Sequence, residues 1–352
     1  MTAPEPASPP DGLKERFDRQ VSSVSILSSI GLSLVVLGVI AALTIQPDTL
    51  QQIARMQWWM PFIAAFSVVI RVCFGTWRLQ FIGQGRLRWM GAFRAQLAWD
   101  FLSNVTPSAI GGGPVAPAYI SRDSKVPFGD ATAIMLFAML LDQIWFAFAI
   151  VVVLVGSTYI EIIPASLGTV GDVTFSAYFL LFLAWVVLFG YATFVRPTLL
   201  TKFIGRIFQL PLLNRFHKAV SATLSRLHKR ALILRTQPPH FYVKGFLLTA
   251  VIWLSRYALV VIILYGFYTE VDQLLALLRT VAMMLGGLVM PTPGGAGGIE
   301  GLYVLMFKPL LPASLLAPTL LLWRILGYYI FIALGAYLAV HQVGRVLVKR
   351  TP

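Results

Sequence analysis

Long blocks of apolar residues, each about the length of a membrane span, dominate the chain. Crossing a bilayer takes roughly 20 residues at about 1.5 Å per residue. Six blocks meet this length: Val24–Leu43, Trp58–Trp77, Ala131–Gly156, Phe175–Val195, Gly245–Tyr268 and Pro318–Val340. Polar and apolar residues do not alternate within them, so the pattern predicts full-length helical spans and not the strands of a barrel.

Two further apolar segments, Ala95–Ile120 and Leu274–Phe307, are interrupted near their middles. The first is broken by Thr-Pro-Ser-Ala-Ile-Gly-Gly-Gly-Pro at 106–114, and the second by Pro-Thr-Pro-Gly-Gly-Ala-Gly-Gly at 291–298. Proline removes a backbone donor, and glycine destabilises a helix by about 1 kcal/mol relative to alanine. Irregular backbone at membrane depth persists only where protein or a wet cavity shelters it. We therefore predict two re-entrant hairpins.

The distribution of charge between the blocks predicts the orientation. Lysine and arginine concentrate around Arg78, Arg86, Arg88 and Arg94, in the basic segment 196–244, and in the C-terminal tail 341–352. The loop 157–174 and the loop near Glu270 contain acids and no bases. By the positive-inside rule the three basic regions are cytoplasmic. We expect a multi-pass protein of the cell (inner) membrane with both termini in the cytoplasm, and a disordered cytoplasmic tail at 1–20.

The order of elements repeats. Residues 21–156 and 175–340 each contain span, span, hairpin, span, and they are joined by the external loop 157–174. The first set begins inside and the second outside, which predicts an inverted-topology repeat of the kind found in many transporters. Intramembrane charges follow the same spacing, because Arg71 and Arg256 precede the two glycine runs by 40 and 38 residues. The fold class is thus all-α polytopic, with two oppositely oriented hairpins.

Composition narrows the function. Hydrophobic residues make up 58% of the chain and charged residues 12%, against about 25% charged in a soluble domain. The net charge of +14 lies in the loops, so we assign it to topology and not to nucleic acid. The histidines and the single cysteine form no metal-ligand pattern, and no Walker motif occurs. We expect neither a metal nor a cofactor.

Charged residues inside the apolar segments are the first candidates for a site. A charge at the centre of a lone membrane helix costs about 2.5–3.5 kcal/mol on insertion scales. The predicted headgroup-binding side chains are Arg71, Asp142, Arg256, Glu300 and Arg324. Each also has a structural interpretation, as an ion pair between helices or a side chain that reaches the interface. For Asp100 and Arg279 the structural interpretation is favoured.

The glycine-rich turns are the second candidates. Gly111, Gly112 and Gly113 lie in the first turn, and Gly294, Gly295, Gly297 and Gly298 in the second. Such turns expose backbone N–H groups at the start of a half-helix, where phosphate binds well, although small residues also serve close helix packing. Glu300 has two possible roles: it bonds the N–H groups of the turn, or it faces a cationic headgroup.

The segment Pro291–Glu300, in an apolar chain with this span order, resembles the signature of the flippase-like family, also called the lysylphosphatidylglycerol synthase transmembrane region. The resemblance extends from about Val21 onward. Family members often carry an acid and a base after the first glycines, whereas Gly-Pro-Val-Ala-Pro stands here at 113–117. Larger members add a soluble aminoacyl-transferase domain. This chain ends at Pro352, soon after the last predicted span, and we expect a stand-alone membrane domain.

The resemblance implies a lipid substrate, and the predicted repeat, charges and turns imply a transporter. The leading hypothesis is a lipid translocase, not an enzyme, which moves a phosphate-bearing lipid between leaflets through a cavity between the two halves. Candidate lipids are an anionic or aminoacylated phospholipid and a polyprenyl-phosphate-linked lipid. Two alternatives stay open: a membrane enzyme that transfers a group to a lipid, and an accessory subunit of a lipid-modifying enzyme.

Overall fold

The computed structural model describes residues 49–105, 116–165, 168–191, 232–292, 294–335 and 337. Within these ranges the regular secondary structure is helical, and no strand occurs. Five helices are long and apolar enough to cross a membrane. These observations confirm the predicted all-helical membrane class. The first predicted span, both terminal tails, the glycine run 111–113 and most of the basic segment 196–244 lie outside the described residues.

The helices are numbered here in chain order over the described residues. They are α1 (Thr49–Ala54), α2 (Met60–Gly83), α3 (Trp89–Val105), α4 (Ala116–Ser124), α5 (Phe128–Gly156), α6 (Gly168–Gly190), α7 (Pro239–Phe267), α8 (Gln273–Gly287), α9 (Gly298–Phe307) and α10 (Ala313–Arg324). A π-helical turn at Ile325–Tyr329 continues α10, and the helical segment runs on to Gly335.

Local chemistry accounts for several helix ends. α2 and α7 carry proline in their first turn. Backbone N–H groups there have no partner within the helix, so proline removes no helical hydrogen bond. α2 ends where Gln84 takes a left-handed conformation with φ 51°. Asp272 caps α8, since its carboxylate accepts a hydrogen bond of 3.0 Å from the Leu275 N–H.

Two features of the first half differ from the sequence-based expectation. α2 continues past Trp77 to Gly83, so Arg78 lies inside a helix and is 2% exposed. Its placement in a basic cytoplasmic loop is therefore wrong. The guanidinium of Arg78 is paired with Asp142 and needs no contact with water. α6 begins at Gly168, earlier than the predicted span, and includes the last residues of the predicted loop 157–174.

α2 and α7 form an antiparallel pair at the centre of the described structure. Residues near the start of α2 contact residues near the end of α7, and the reverse holds at the other end. The N–H of Gln57, just before α2, donates to the Gly266 carbonyl at 2.9 Å. Near the other end, the rings of Phe81 and Phe241 stack with centroids 4.7 Å apart. Close approach depends on Gly266, because a Cβ there would lie 2.2 Å from the Met60 side chain.

Two pairs of shorter helices flank the glycine- and proline-rich segments. α3 packs against α4, and α8 packs against α9. Gln273–Gly287 and Gly298–Phe307 are apolar but shorter than 18 residues. Arg279 holds the second pair in place, since its guanidinium donates to the carbonyls of Met306 at 2.9 Å and Glu161 at 3.1 Å. The two helices of each pair therefore pack against each other on either side of a glycine- and proline-rich segment.

The turn between α8 and α9 requires glycine for its backbone shape. Gly294, Gly295 and Gly297 have φ values of 59°, 70° and 85°, which L side chains rarely adopt. At Gly294 the space is also filled. A Cβ there would lie 2.7 Å from the Asn104 carbonyl oxygen and 2.3 Å from the Tyr328 ring. The turn thus packs directly against the end of α3.

We expect Gly294→Ala to destabilise the protein by about 1–3 kcal/mol, because it forces a side chain into a left-handed conformation and against fixed backbone. Gly301→Ala is the matched control. Gly301 lies in α9 with nothing within 4 Å of its Cβ position, and alanine favours a helix. Thermal unfolding in detergent measures both variants. Equal transition temperatures for the two would contradict this account of the turn.

Candidate functional site

A cavity of about 520 Å³ lies among α2, α3, α5, α6, α7 and the segment after α8. This volume is within the usual range for small-molecule sites. Its wall contains five charged residues: Arg71, Arg78, Asp100, Asp142 and Arg256. The neutral polar side chains Gln96, Ser103 and Gln143 also line it. Most of the remaining wall is aromatic or aliphatic, so a few polar groups are set in an apolar surround.

Helical periodicity brings the first two arginines to the cavity. Arg71 and Arg78 are seven residues apart on α2, about two turns, and therefore share a face. Gly75 lies between them and leaves room for Gln96 of α3. A Cβ at Gly75 would lie 2.7 Å from the Gln96 side-chain carbon Cδ. The face of α2 that bears the arginines is thus shaped to receive α3.

Asp100 of α3 is shared by two arginines. Its Oδ1 accepts from Arg71 Nη2 at 2.5 Å and from Arg256 Nη2 at 3.2 Å. Its Oδ2 accepts from Gln96 Nε2 at 3.0 Å. Asp100 is 5% exposed, so these bonds form away from bulk water. One carboxylate therefore joins α2, α3 and α7.

Asp142 of α5 is the second centre. Its Oδ1 accepts from Arg78 Nη1 at 2.5 Å and from Trp253 Nε1 at 2.9 Å, and Arg78 Nη2 lies 3.4 Å from Oδ2. Arg78 Nη1 also donates to Thr249 Oγ1 at 3.1 Å. The indole of Trp253 and the hydroxyl of Thr249 come from α7. The pair consequently joins α2, α5 and α7.

Aromatic rings cover the arginines. The Arg71 guanidinium carbon lies 4.1 Å from the Phe331 ring centroid, and that of Arg256 lies 4.6 Å from the Trp253 centroid. Arg78 lies 5.6 Å from Trp99. Cation–π contacts of this kind stabilise a desolvated guanidinium and fix its plane. The arginines are therefore held in set orientations within the apolar wall.

The charges that line the cavity do not balance. Among the described lining residues, three arginines face two aspartates. The side chain of Arg256 is 27% exposed, against 5% for Arg71 and 3% for Arg78. The buried Nε–H groups of all three arginines lack a hydrogen-bond partner in the described structure. A buried cation without its own counter-ion is costly, so this wall is suited to an anion.

One wall of the cavity is formed by α6, which is only loosely packed. In the apolar window of α6, 11% of the residues are buried, against 39–56% in the other four spans. Tyr178 attaches α6 to α8 by donating to the Leu285 carbonyl at 2.7 Å. At the rim of the cavity, Leu181 and Val289 are 73% and 56% exposed. The rim of the cavity beside α6 is therefore apolar and exposed.

The predicted site residues fall into separate groups in the structure. Arg71, Asp142 and Arg256 line the cavity. Arg324 and Glu300 lie at the second glycine-rich turn, where Arg324 Nη2 is 2.6 Å from Glu300 Oε1. Glu300 Oε2 also accepts from the Gly297 N–H at 2.8 Å. Of the two roles open for Glu300, the structure supports the bonding of the turn. Gly111, Gly112 and Gly113 lie outside the described residues.

Sequence reasoning missed Arg78 as a cavity residue and favoured a structural role for Asp100. The available signal for Arg78 was its spacing of two turns from Arg71. Gln96 and Gln143 carry no charge and gave no signal in an apolar segment. Within the described ranges, no group of three or more His, Cys, Asp or Glu residues is arranged to hold a metal ion.

A family model and a known membrane protein both match most of the chain. The family model of the lysylphosphatidylglycerol synthase transmembrane region matches residues 26–335. A protein of Archaeoglobus fulgidus described as a UPF0104 membrane protein is 24% identical over 291 residues, which is 79% of this chain and 85% of that protein. The matched region includes every residue that lines the cavity. The chain therefore belongs to the lysylphosphatidylglycerol synthase transmembrane region family.

Proposed function

We propose that this protein is a lipid translocase that moves a phosphate-bearing lipid between leaflets of the cell membrane, with the headgroup passing through the arginine-lined cavity. The observation that carries the proposal is the uneven charge of that cavity, whose described lining residues include three arginines and two aspartates. Phosphate is the anionic group that phospholipids carry in their headgroups. Arginine's planar fork matches its oxygens.

Arg256 is the proposed phosphate ligand. In the described structure its hydrogen bond uses one N–H, to an Asp100 oxygen that Arg71 also engages at a shorter distance. A guanidinium has five N–H donors, so most of those on Arg256 remain for a ligand. When phosphate binds, Arg256 exchanges Asp100 for the headgroup, and Asp100 stays paired with Arg71. Every charge then keeps a partner during the exchange.

The acyl chains of the lipid remain in the bilayer during this exchange. α6 borders the cavity with apolar side chains, and its rim residue Leu181 is exposed. A headgroup can therefore enter sideways between α6 and the segment after α8 while its tails stay among other tails. The polar wall replaces the hydration of the headgroup, which removes the main barrier to crossing.

We further propose that the protein is an inverted repeat of six spans and two re-entrant hairpins, with both termini in the cytoplasm. Arg71 and Arg256 are 185 positions apart, and we take this as the offset between the two repeats. By the same offset Gln57 is equivalent to Tyr242, and Phe81 is equivalent to Gly266. The contact of Gln57 with Gly266 therefore predicts an equivalent contact between Tyr242 and Phe81. Phe81 stacks on Phe241, the neighbour of Tyr242. Two antiparallel helices with contacts that repeat in this way are what a two-fold axis in the membrane plane would produce.

The axis would pass near Asp100, where the equivalent arginines Arg71 and Arg256 meet. Rocking of one half against the other about this point would open the cavity to each leaflet in turn. The glycine-rich turn with Glu300 and Arg324 supports the second hairpin in this scheme. Its role is to position the end of α8 beside the cavity.

Arg256→Gln tests the function. Hydrogen bonds to charged groups contribute about 1.5–3 kcal/mol, so we expect at least a roughly tenfold slower movement of fluorescent phosphatidylglycerol in proteoliposomes. Arg256→Lys keeps the charge without the fork and should fall between parent and Arg256→Gln. Arg86→Gln is the matched control, since Arg86 also pairs with an aspartate, Asp130, but does not line the cavity.

Vesicles with equal amounts of folded protein are compared, and the mass of the lipid is measured after transport. An unchanged mass distinguishes translocation from group transfer to the lipid. Parent-like rates in Arg256→Gln would place the headgroup path elsewhere. A rate lost equally in Arg86→Gln would indicate that both changes act through folding.

Cysteine labelling tests the hairpins. In a Cys73→Ala background, Arg88→Cys and Lys125→Cys flank the first hairpin, and Thr269→Cys and Lys308→Cys flank the second; all four positions are exposed. We expect an impermeant maleimide to reach the first two only from the cytoplasm and the last two only from outside. A hairpin that crosses the membrane completely would place its two flanking cysteines on opposite sides.

A further inference from the structure

The net charge of the cavity also bears on which lipid headgroup it accepts. Both aspartates are already engaged by protein donors. Asp100 accepts from Arg71, Arg256 and Gln96, and Asp142 accepts from Arg78 and Trp253. Each of the four carboxylate oxygens has at least one protein donor within 3.4 Å. An ammonium group that entered this cavity would find no unengaged carboxylate among the described lining residues.

The arginine N–H donors of the cavity, in contrast, are not all engaged. The described structure gives Arg256 one hydrogen bond, through Nη2, and leaves its Nε–H without a partner. The Nε–H groups of Arg71 and Arg78 are also unpartnered. The described lining residues therefore offer spare donors and one spare positive charge, and no spare negative charge. A ligand with one net negative charge brings the total to zero.

We propose that the cavity selects lipids by net headgroup charge, accepting phosphodiester lipids that carry one net negative charge and rejecting those in which an ammonium brings the net charge to zero or above. This inference rests on the proposed function, because it concerns the same cavity and the same transport. It separates two substrate classes that the family resemblance leaves together: the anionic phospholipids are accepted, and the aminoacylated phospholipids are excluded. Like charges brought together in a site of low dielectric repel strongly, and this repulsion supplies the rejection.

Gln143 provides a way to change the charge without removing an arginine. It lines the cavity, and its buried Oε1 has no hydrogen-bond partner in the described structure. Gln143→Glu is nearly isosteric and adds one negative charge, which cancels the excess. Gln143→Leu removes the amide and leaves the charge as it was. Comparing the two variants separates charge from shape at one position.

The experiment follows four acyl-labelled lipids in phosphatidylcholine vesicles that contain the full-length protein. Phosphatidylglycerol and phosphatidylmethanol carry one negative charge, phosphatidylethanolamine is zwitterionic, and lysyl-phosphatidylglycerol is cationic. Initial rates at low mole fraction report the specificity constant for each lipid. For the parent we expect the two anionic lipids to move at similar rates, at least about tenfold faster than the other two.

The variants test the cause of this selection. Gln143→Glu and Arg256→Gln should each lower the ratio of phosphatidylglycerol to phosphatidylethanolamine rates to about one, because each removes the excess charge. Gln143→Leu should keep the parent ratio. Damage to the fold slows all lipids together and leaves their ratios unchanged. A parent ratio retained in both Gln143→Glu and Arg256→Gln would overturn the proposal.

The outcomes for the parent separate this inference from the proposed function. A parent that moves all four lipids at one rate, or moves lysyl-phosphatidylglycerol fastest, overturns the charge selection and leaves translocation standing. A parent that moves none of them above the rate of protein-free vesicles overturns the proposed function, and the charge selection with it.

Discussion

The sharing of Asp100 between Arg71 and Arg256 is the interaction on which the rest of the described structure depends. Inserting any of these charges into the bilayer on a lone helix has a high free-energy cost. The cost is offset because each charge has a partner within hydrogen-bond distance. The requirement brings α2, α3 and α7 together at one depth. Because one carboxylate serves two guanidinium groups, the same interaction that joins the helices also creates the excess charge of the cavity.

A second buried ion pair, between Glu300 and Arg324, has a different consequence. Here the charges balance, and the carboxylate is fully buried and bonded to the Gly297 N–H. The pair fixes an irregular turn that lipid could not tolerate and leaves no charge over for a ligand. The protein thus uses buried ions in two ways: balanced at the turn, where shape is needed, and unbalanced at the cavity, where an anion is to be recognised.

The sequence was sufficient for the membrane class and for most spans, because the free-energy cost of polar backbone in lipid dictates long apolar helices. Arg78 is a residue for which hydropathy and charge counts gave the wrong assignment. Counting bases near a span end assigns the residue to a cytoplasmic loop, yet the helix continues through it because Asp142, 64 residues away, supplies its counter-ion. Which charges pair across helices depends on packing, and hydropathy carries no information about it. The role of Asp100 was undervalued for the same reason.

The central claim is that a lipid phosphate completes the charge balance at Arg256. The most direct measurement is an electron cryomicroscopy structure of the protein in phosphatidylglycerol nanodiscs. We expect headgroup density in the cavity, with a phosphate oxygen within about 3.2 Å of the Arg256 guanidinium and Asp100 retained by Arg71. A cavity that holds only water or acyl chains, with the headgroup bound instead at the turn beside Gly294, would contradict the account.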